Sequence, residues 1–163
     1  MSINKKTYSK DKVKNMGFTL IEILIVIGII AVLAAVVLVA VNPARQFKLA
    51  RDSQRTSNVM SILNAIGQNI SEHKGSFTCG ASVTVLPNVV TLIRKDTTGA
   101  GFDLGTCLVP DYIASLPYDP ASTEAFYNSV ESYNTGYFVT QDTNGRITIS
   151  ANGELTPSIT ATR

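Results

Sequence analysis

Apolar positions fall along this chain in three different patterns. From Ile23 to Val41 they are continuous: nineteen residues pass without a charge. The run reaches back through Phe18-Thr-Leu-Ile-Glu22, with Glu22 as its single charge. From residue 44 to 72 the pattern becomes periodic. Val59, Ile62, Leu63, Ile66 and Ile70 recur at three- and four-residue steps, the spacing of one helix face. Beyond Gly75 the apolar residues form short segments punctuated by Gly, Pro, Asn and Asp.

Each pattern predicts an element. About 20 apolar residues cross the ~30 Å hydrocarbon core of a bilayer as a helix, and soluble core helices are rarely apolar all round. Residues 18–41 are therefore expected to form a transmembrane helix, with Gly28 allowing close packing in mid-span. Pro43 either kinks a helix or opens a new one, so a bent continuous helix and a short break both fit. Residues 42–74 are expected to continue as an amphipathic helix whose apolar stripe packs on a globular head. Gly67 costs about 1 kcal/mol within a helix, which predicts fraying toward Gly75. Residues 75–163 are expected to form a β-rich head, about 90 residues and enough for a small core. Within it, Ser82–Leu86 and Val89–Ile93 read as β-like runs split by Pro87-Asn88. Gly136–Asp142 and Arg146–Ala151 read as strands joined by Thr143-Asn144-Gly145, because Asn-Gly is a strong hairpin signal. Alternation sets Ile147 and Ile149 on one face.

Composition narrows the function. The chain has 163 residues, of which 45% are apolar and 16% charged, against about 25% charged in average soluble domains. Its net charge of +2 hides an asymmetry. Residues 1–17 hold five lysines against one aspartate, while residues 56–163 hold nine acids against five bases. Lysines ahead of the span keep the N-terminus cytoplasmic and send the rest outward, although Arg45, Lys48, Arg51 and Arg55 partly oppose this. The acidic C-terminal part offers no basic surface for nucleic acid. No phosphate loop, paired-Cys metal spacing or nucleophile elbow is present. The single histidine, His73, falls at the expected helix end as a solvated cap, so the chain does not read as an enzyme. A secretory signal peptide fits poorly, since its apolar region is about 7–15 residues long and ends at small residues. A plain signal anchor is the remaining bland reading of the run.

Three side-chain sets carry further expectations. A carboxylate near the start of a membrane span costs a few kcal/mol unless paired, and nothing basic lies within one turn of Glu22. A cut before Phe18 would create an α-amino group four residues away, on the same chain or an axially shifted copy. Arg45, Lys48, Arg51 or Asp52, and Arg55 form a charged stripe. It reads first as a solvated, headgroup-facing collar, with pairing to acidic heads of adjacent copies as the alternative. Cys79 and Cys107, in an exported head, are expected to form one disulfide.

The segment Lys14-Asn-Met-Gly17-Phe18-Thr19-Leu20-Ile21-Glu22-Ile23-Leu24 resembles the leader junction of type IV prepilins and type II secretion pseudopilins. The resemblance covers residues 14–41. It implies a pilin-like α+β fold: a long N-terminal helix, transmembrane in its first half, on a small antiparallel β-sheet head. It implies that a basic leader, 1–17, is removed by prepilin peptidase between Gly17 and Phe18, and that the Phe18 amine is methylated. It implies that Glu22 pairs with the Phe18 amine of a neighbour during assembly. The partners so implied are further copies of the chain in a filament, the peptidase, the inner-membrane assembly machinery and, before assembly, the lipid bilayer. The chain would be a single-pass inner-membrane protein with an exported head, ending in an extracellular filament or a periplasmic pseudopilus.

Leu116-Pro117-Tyr118-Asp119-Pro120 resembles a Leu-Pro-x-Asp-Pro stretch of major pseudopilins, where the loop that follows binds calcium in some members. Asp119, Glu124, Asp142 and Asn144 supply suitable hard oxygens, and are equally ordinary turn residues. Ala121-Ser-Thr-Glu124 lacks the aromatic-glycine continuation of that family. No cofactor other than this calcium is expected. A pilus-like filament subunit is the leading reading. A secretion pseudopilin is the second, and an anchored binding domain that never polymerises is the third.

Overall fold

A computed structural model of the chain describes residues 17–97 and 99–163. The leader expected at 1–17 thus lies outside the described residues, apart from Gly17. The described chain is α+β. Two helices come first, α1 (Leu20–Val41) and α2 (Pro43–Glu72). They are followed by β1 (Thr78–Cys79), β2 (Ser82–Val83), β3 (Thr91–Lys95), α3 (Gly105–Leu108), β4 (Phe126–Ser129), β5 (Ser132–Gln141), β6 (Ile147–Ala151) and β7 (Ile159–Thr162). Two compact units result, residues 1–42 and 43–163.

In the first unit, α1 has 22 residues and buries none of them. At 1.5 Å per residue that is about 33 Å, the thickness of a hydrocarbon core. Among the described residues it is the one helix long and apolar enough to cross a membrane. It ends at Asn42, whose φ of 41° is left-handed, and Pro43 opens α2. Of the two options at Asn42-Pro43, the chain takes the break. A residue with positive φ cannot continue a right-handed helix, and proline at a first helical position gives up no hydrogen bond.

In the second unit, α2 packs on a sheet. Val59, Ile62, Leu63, Ala65 and Ile66 are buried and Ile70 is half-buried against them. The helix runs unbroken through Gly67 to Glu72, where fraying was expected. Packing of the stripe on the head outweighs the local cost of one glycine. The helix stops where Lys74 and Gly75 take positive φ and the Gly75 amide reaches back to the Ile70 carbonyl at 2.9 Å.

The main sheet is antiparallel, in the order β3-β5-β6-β7, with β4 pairing the start of β5. Ile93, Tyr133, Tyr137, Val139, Ile147, Ile149, Ala151 and Ile159 are its buried apolar residues that join α2 in one core. The expected hairpin is present as β5 and β6, with Ile147 and Ile149 both buried. Asp142 lies in the turn rather than in a strand, accepting from the Asn144 and Arg146 amides at 2.9 and 2.8 Å. Gly145 has a φ of 82°, which only glycine adopts cheaply.

Several expectations need correction. The run Ser82–Leu86 is a strand only at Ser82–Val83, and Val89–Ile93 shifts to Thr91–Lys95. Val85, Val89 and Val90 are exposed, so apolar content there did not signal pairing. β5 begins at Ser132, four residues before the expected Gly136. Polar Asn134 and Thr135 hid that half of the strand. α3, β1, β4 and β7 were not foreseen.

Cys79 of β1 and Cys107 of α3 are joined by a disulfide. Beside it, the Asn69 side chain pairs with both the amide and carbonyl of Thr78, each at 2.9 Å. The Cys79→Ser/Cys107→Ser double variant should lose about 3–4 kcal/mol of head stability, the loop entropy of such a closure. Urea unfolding of the detergent-solubilised chain, followed by tyrosine near-UV dichroism, measures the loss.

Candidate processing and assembly site

Gly17, Phe18 and Thr19 precede α1 in non-helical conformation. Phe18 is 78% exposed, and a Cβ placed on Gly17 would meet nothing within 4 Å. Gly17 and Phe18 are thus both exposed. Thr19 caps the helix. Its Oγ1 accepts from the Glu22 amide at 3.2 Å, while Glu22 Oε2 accepts from the Thr19 amide at 3.5 Å. This reciprocal capping box satisfies two amides that the first helical turn leaves open.

Glu22 therefore has a partner within its own chain, a backbone amide one residue beyond the Phe18 nitrogen. The expectation that it stood without a local partner counted only charged side chains. Thr19-x-x-Glu22 is the sequence signal that reveals the box. A carboxylate in the first turn also meets the positive end of the helix dipole.

The charged stripe on α2 has a different fate from the expected collar. Arg55 is only 4% exposed, and its guanidinium grips Asp119 in a two-pronged pair at 2.7 and 2.9 Å. Its remaining edge donates to Asp52 Oδ1 at 2.7 Å and Glu154 Oε1 at 3.2 Å. Arg51 adds a second fork to Glu154, at 2.5 and 2.7 Å. Asp52 accepts from the Glu154, Leu155 and Thr156 amides at 2.9, 2.8 and 3.2 Å. Neither a headgroup collar nor pairing with a neighbour describes Arg51 and Arg55. They pair with the head of their own chain, because the α2 face that bears them is the face the head covers. A buried charge must find its counter-charge there.

Electrostatics follow from these contacts. The Glu154 amide, with the Leu155 and Thr156 amides and Arg55, holds the Asp52 carboxyl far below the carboxylate range despite its burial. The Arg51 fork does the same for Glu154, lowering it to about 2. Burial works to raise Asp119, but Arg55 and the Ala121 and Ser122 amides outweigh it and keep it low. Burial pushes the Tyr137 hydroxyl up to about 12, and that hydroxyl accepts from Asn58 Nδ2 at 2.9 Å.

The four calcium candidates are not gathered into one cluster. Both Asp119 oxygens are taken by Arg55, and Oδ1 also accepts from the Ala121 and Ser122 amides. Gly136, with a φ of 73°, lets β5 pass close to Asp119: a Cβ there would sit 3.1 Å from Asp119 Cβ. Glu124 is exposed nearby. Asp142 and Asn144 belong to the β5–β6 turn, where Asp142 also pairs with Arg146 at 2.7 Å. Among the described residues no three His, Cys, Asp or Glu side chains assemble as a metal cage. His73 follows α2, its Nδ1 2.7 Å from the Asn69 carbonyl.

A family model described as the prokaryotic N-terminal methylation motif matches residues 14–38. This is the type IV prepilin and pseudopilin signature. The match covers the junction and most of α1, and not the head. No curated protein and no solved structure matches the chain. The order of apolar helix, second helix and small antiparallel sheet is a pilin-like arrangement. In general terms the prepilin signature implies processing by prepilin peptidase and assembly into a filament. Beside it, an apolar helix with no buried residue is consistent with membrane anchoring of an exported protein.

Two outcomes follow for the ionic cluster. Arg55→Ala leaves Asp119 buried without its cation and should destabilise the head by about 3–5 kcal/mol, read as a fall in urea midpoint. The low-lying carboxyls give a defined pH dependence. Asp52, Asp119 and Glu154 bind fewer protons folded than unfolded, so their stabilisation is complete above the ordinary carboxyl values of 3.8 and 4.5. It is lost as pH falls through the folded values. Melting temperature in detergent should drop steeply from pH 4.5 toward about 2. A flat profile over that range would contradict the assigned pairs.

Proposed function

We propose that this chain is a structural subunit of a type IV pilus-like filament. In this reading prepilin peptidase cuts between Gly17 and Phe18, the Phe18 amine is methylated, and copies assemble through α1. The observation that carries it is the combination in one segment of the prepilin signature, exposed Gly17 and Phe18, and a helix that buries none of its residues. Such a helix needs lipid or other helices around it. Lateral packing of α1 helices supplies that cover in an assembled state, with small residues such as Gly28 permitting close approach.

Glu22 supplies the register. In this reading its carboxylate leaves the Thr19 amide, or shares it, to meet the methylated Phe18 ammonium of an adjacent copy. Charge pairing in a medium without water is strong enough to favour one axial offset over others. Processing precedes assembly because the unprocessed chain offers no ammonium at that position.

A secretion pseudopilin is the second reading, favoured by Leu116-Pro117-Tyr118-Asp119-Pro120. The Arg55 pair gives the aspartate of that segment a stabilising task in this chain, one that serves either kind of assembly. Calcium would enter only through ligands rearranged from the present Asp119 and Asp142 contacts.

Intact mass of the chain from membrane and sheared surface fractions tests the reading. A chain beginning at methylated Phe18 is expected in both, and Glu22→Ala should insert normally yet lose most filament yield. Processed chain confined to membranes would favour the pseudopilus. A chain beginning at Met1 or Ser2, in cells with active peptidase, would overturn both.

A further inference from the structure

The start of α2 is a bare helix. Residues 43–50 are all exposed, and the head begins to cover the helix at Arg51 and Asp52. Phe47 is 65% exposed on this bare stretch. Lys48 stands four residues before Asp52 and seven before Arg55, which sets all three on one helix face. Where the head covers that face, it meets each charge with an opposite one: Asp119, Asp52 and Glu154 surround Arg55. Lys48 extends the same stripe past the edge of the head and makes no ion pair among the described residues.

The complementary surface lies on the head. A groove of about 590 Å³ is lined by Arg55, Asp119, Glu124, Phe138, Asn152 and Glu154, among others. With Asp52 behind it, this region holds four carboxylates and the two guanidiniums of Arg51 and Arg55, so acid is in excess. Glu124 is exposed on the groove and makes no ion pair among the described residues. Half-buried Phe138 gives the groove an apolar wall. A cation beside an exposed aromatic ring therefore meets, elsewhere on the same chain, an anion beside an aromatic ring.

We propose that the bare start of α2 docks in the groove of a second copy, Lys48 against Glu124 and Phe47 against Phe138. The proposal rests on the filament reading and adds the contact between heads and helices. Seven residues of helix span about 10 Å. A copy advanced by that distance along a parallel α2 sets its Lys48 level with Arg55 of the first, on the groove. The contact is heterologous, one patch against a different patch, and such contacts propagate as open helical filaments. Charge complementarity favours this occupant over lipid headgroups: the covered part of the same stripe already pairs with carboxylates of the head.

Yield of sheared filaments tests it in four chains beside wild type: Lys48→Glu, Glu124→Lys, the two combined, and Glu22→Ala as the assembly-deficient control. Each single reversal should lower yield at least about fivefold, the effect of roughly 1 kcal/mol at one exposed pair. The combined variant should recover to within about twofold of wild type. In filaments of the Lys48→Cys/Glu124→Cys variant, mild oxidation should link copies into a ladder, since Cys79 and Cys107 are already joined to each other. Single reversals without effect, a combined variant no better than either single, or the absence of cross-linked copies would each overturn the contact. A combined variant that fails alongside both singles would point to headgroups as the partner of Lys48. Wild-type filaments that tolerate the reversals remove this contact alone. Processed wild-type chain that never forms filaments removes it together with the filament reading.

Discussion

Arg55 carries its charge into the head with only 4% of its surface left exposed, and much of the second unit is arranged around that fact. Desolvating a guanidinium is tolerated when counter-charges and hydrogen-bond acceptors surround it. Three carboxylates accept four hydrogen bonds from it here, from one turn back on α2, from the loop at Asp119 and from the loop at Glu154. Each carboxylate in turn stands near backbone or cationic donors. The cluster therefore fixes two loops, remote in sequence, against one face of α2. The Leu116-Pro117-Tyr118-Asp119-Pro120 segment is held in place by this pairing.

The apolar contacts complete what the ion cluster orients. Below Arg55 the same helix face turns from charged to apolar through Asn58, whose amide donates to Tyr137, and then to Val59, Ile62 and Ile66. Strands β5 and β6 supply the opposing layer. The Asn69 side chain holds the far end of the helix to β1 at Thr78, and the disulfide ties β1 to α3. The helix is thus tied to the head by polar links at Arg51–Asn58 and at Asn69, and between them by packing.

The first unit obeys the opposite rule. In α1 no residue is buried, although its apolar surface extends round the whole helix. A segment of this kind is consistent with membrane anchoring. The polar exception, Glu22, is kept quiet by the Thr19 cap without being buried, which leaves it within reach of a different partner.

The sequence by itself determined α1, the prepilin signature and the β5–β6 hairpin. Their causes are local: an unbroken apolar run, a short motif, and a turn that needs glycine at positive φ. It also marked Val59, Ile62, Leu63 and Ile66 as inward, since helical spacing is a local property. The tertiary structure alone decided which charges on α2 face inward. Arg45, Lys48, Arg51 and Arg55 look alike along the chain, and only the edge of the head separates the exposed Lys48 from the buried Arg55. The short strands β1, β4 and β7 were equally hidden, because strands of two to four residues owe their existence to the partner across the ladder. Asp119 illustrates the same limit. Its type suited a turn or a cation, and the side-chain partner it meets is an arginine 64 residues earlier in the chain.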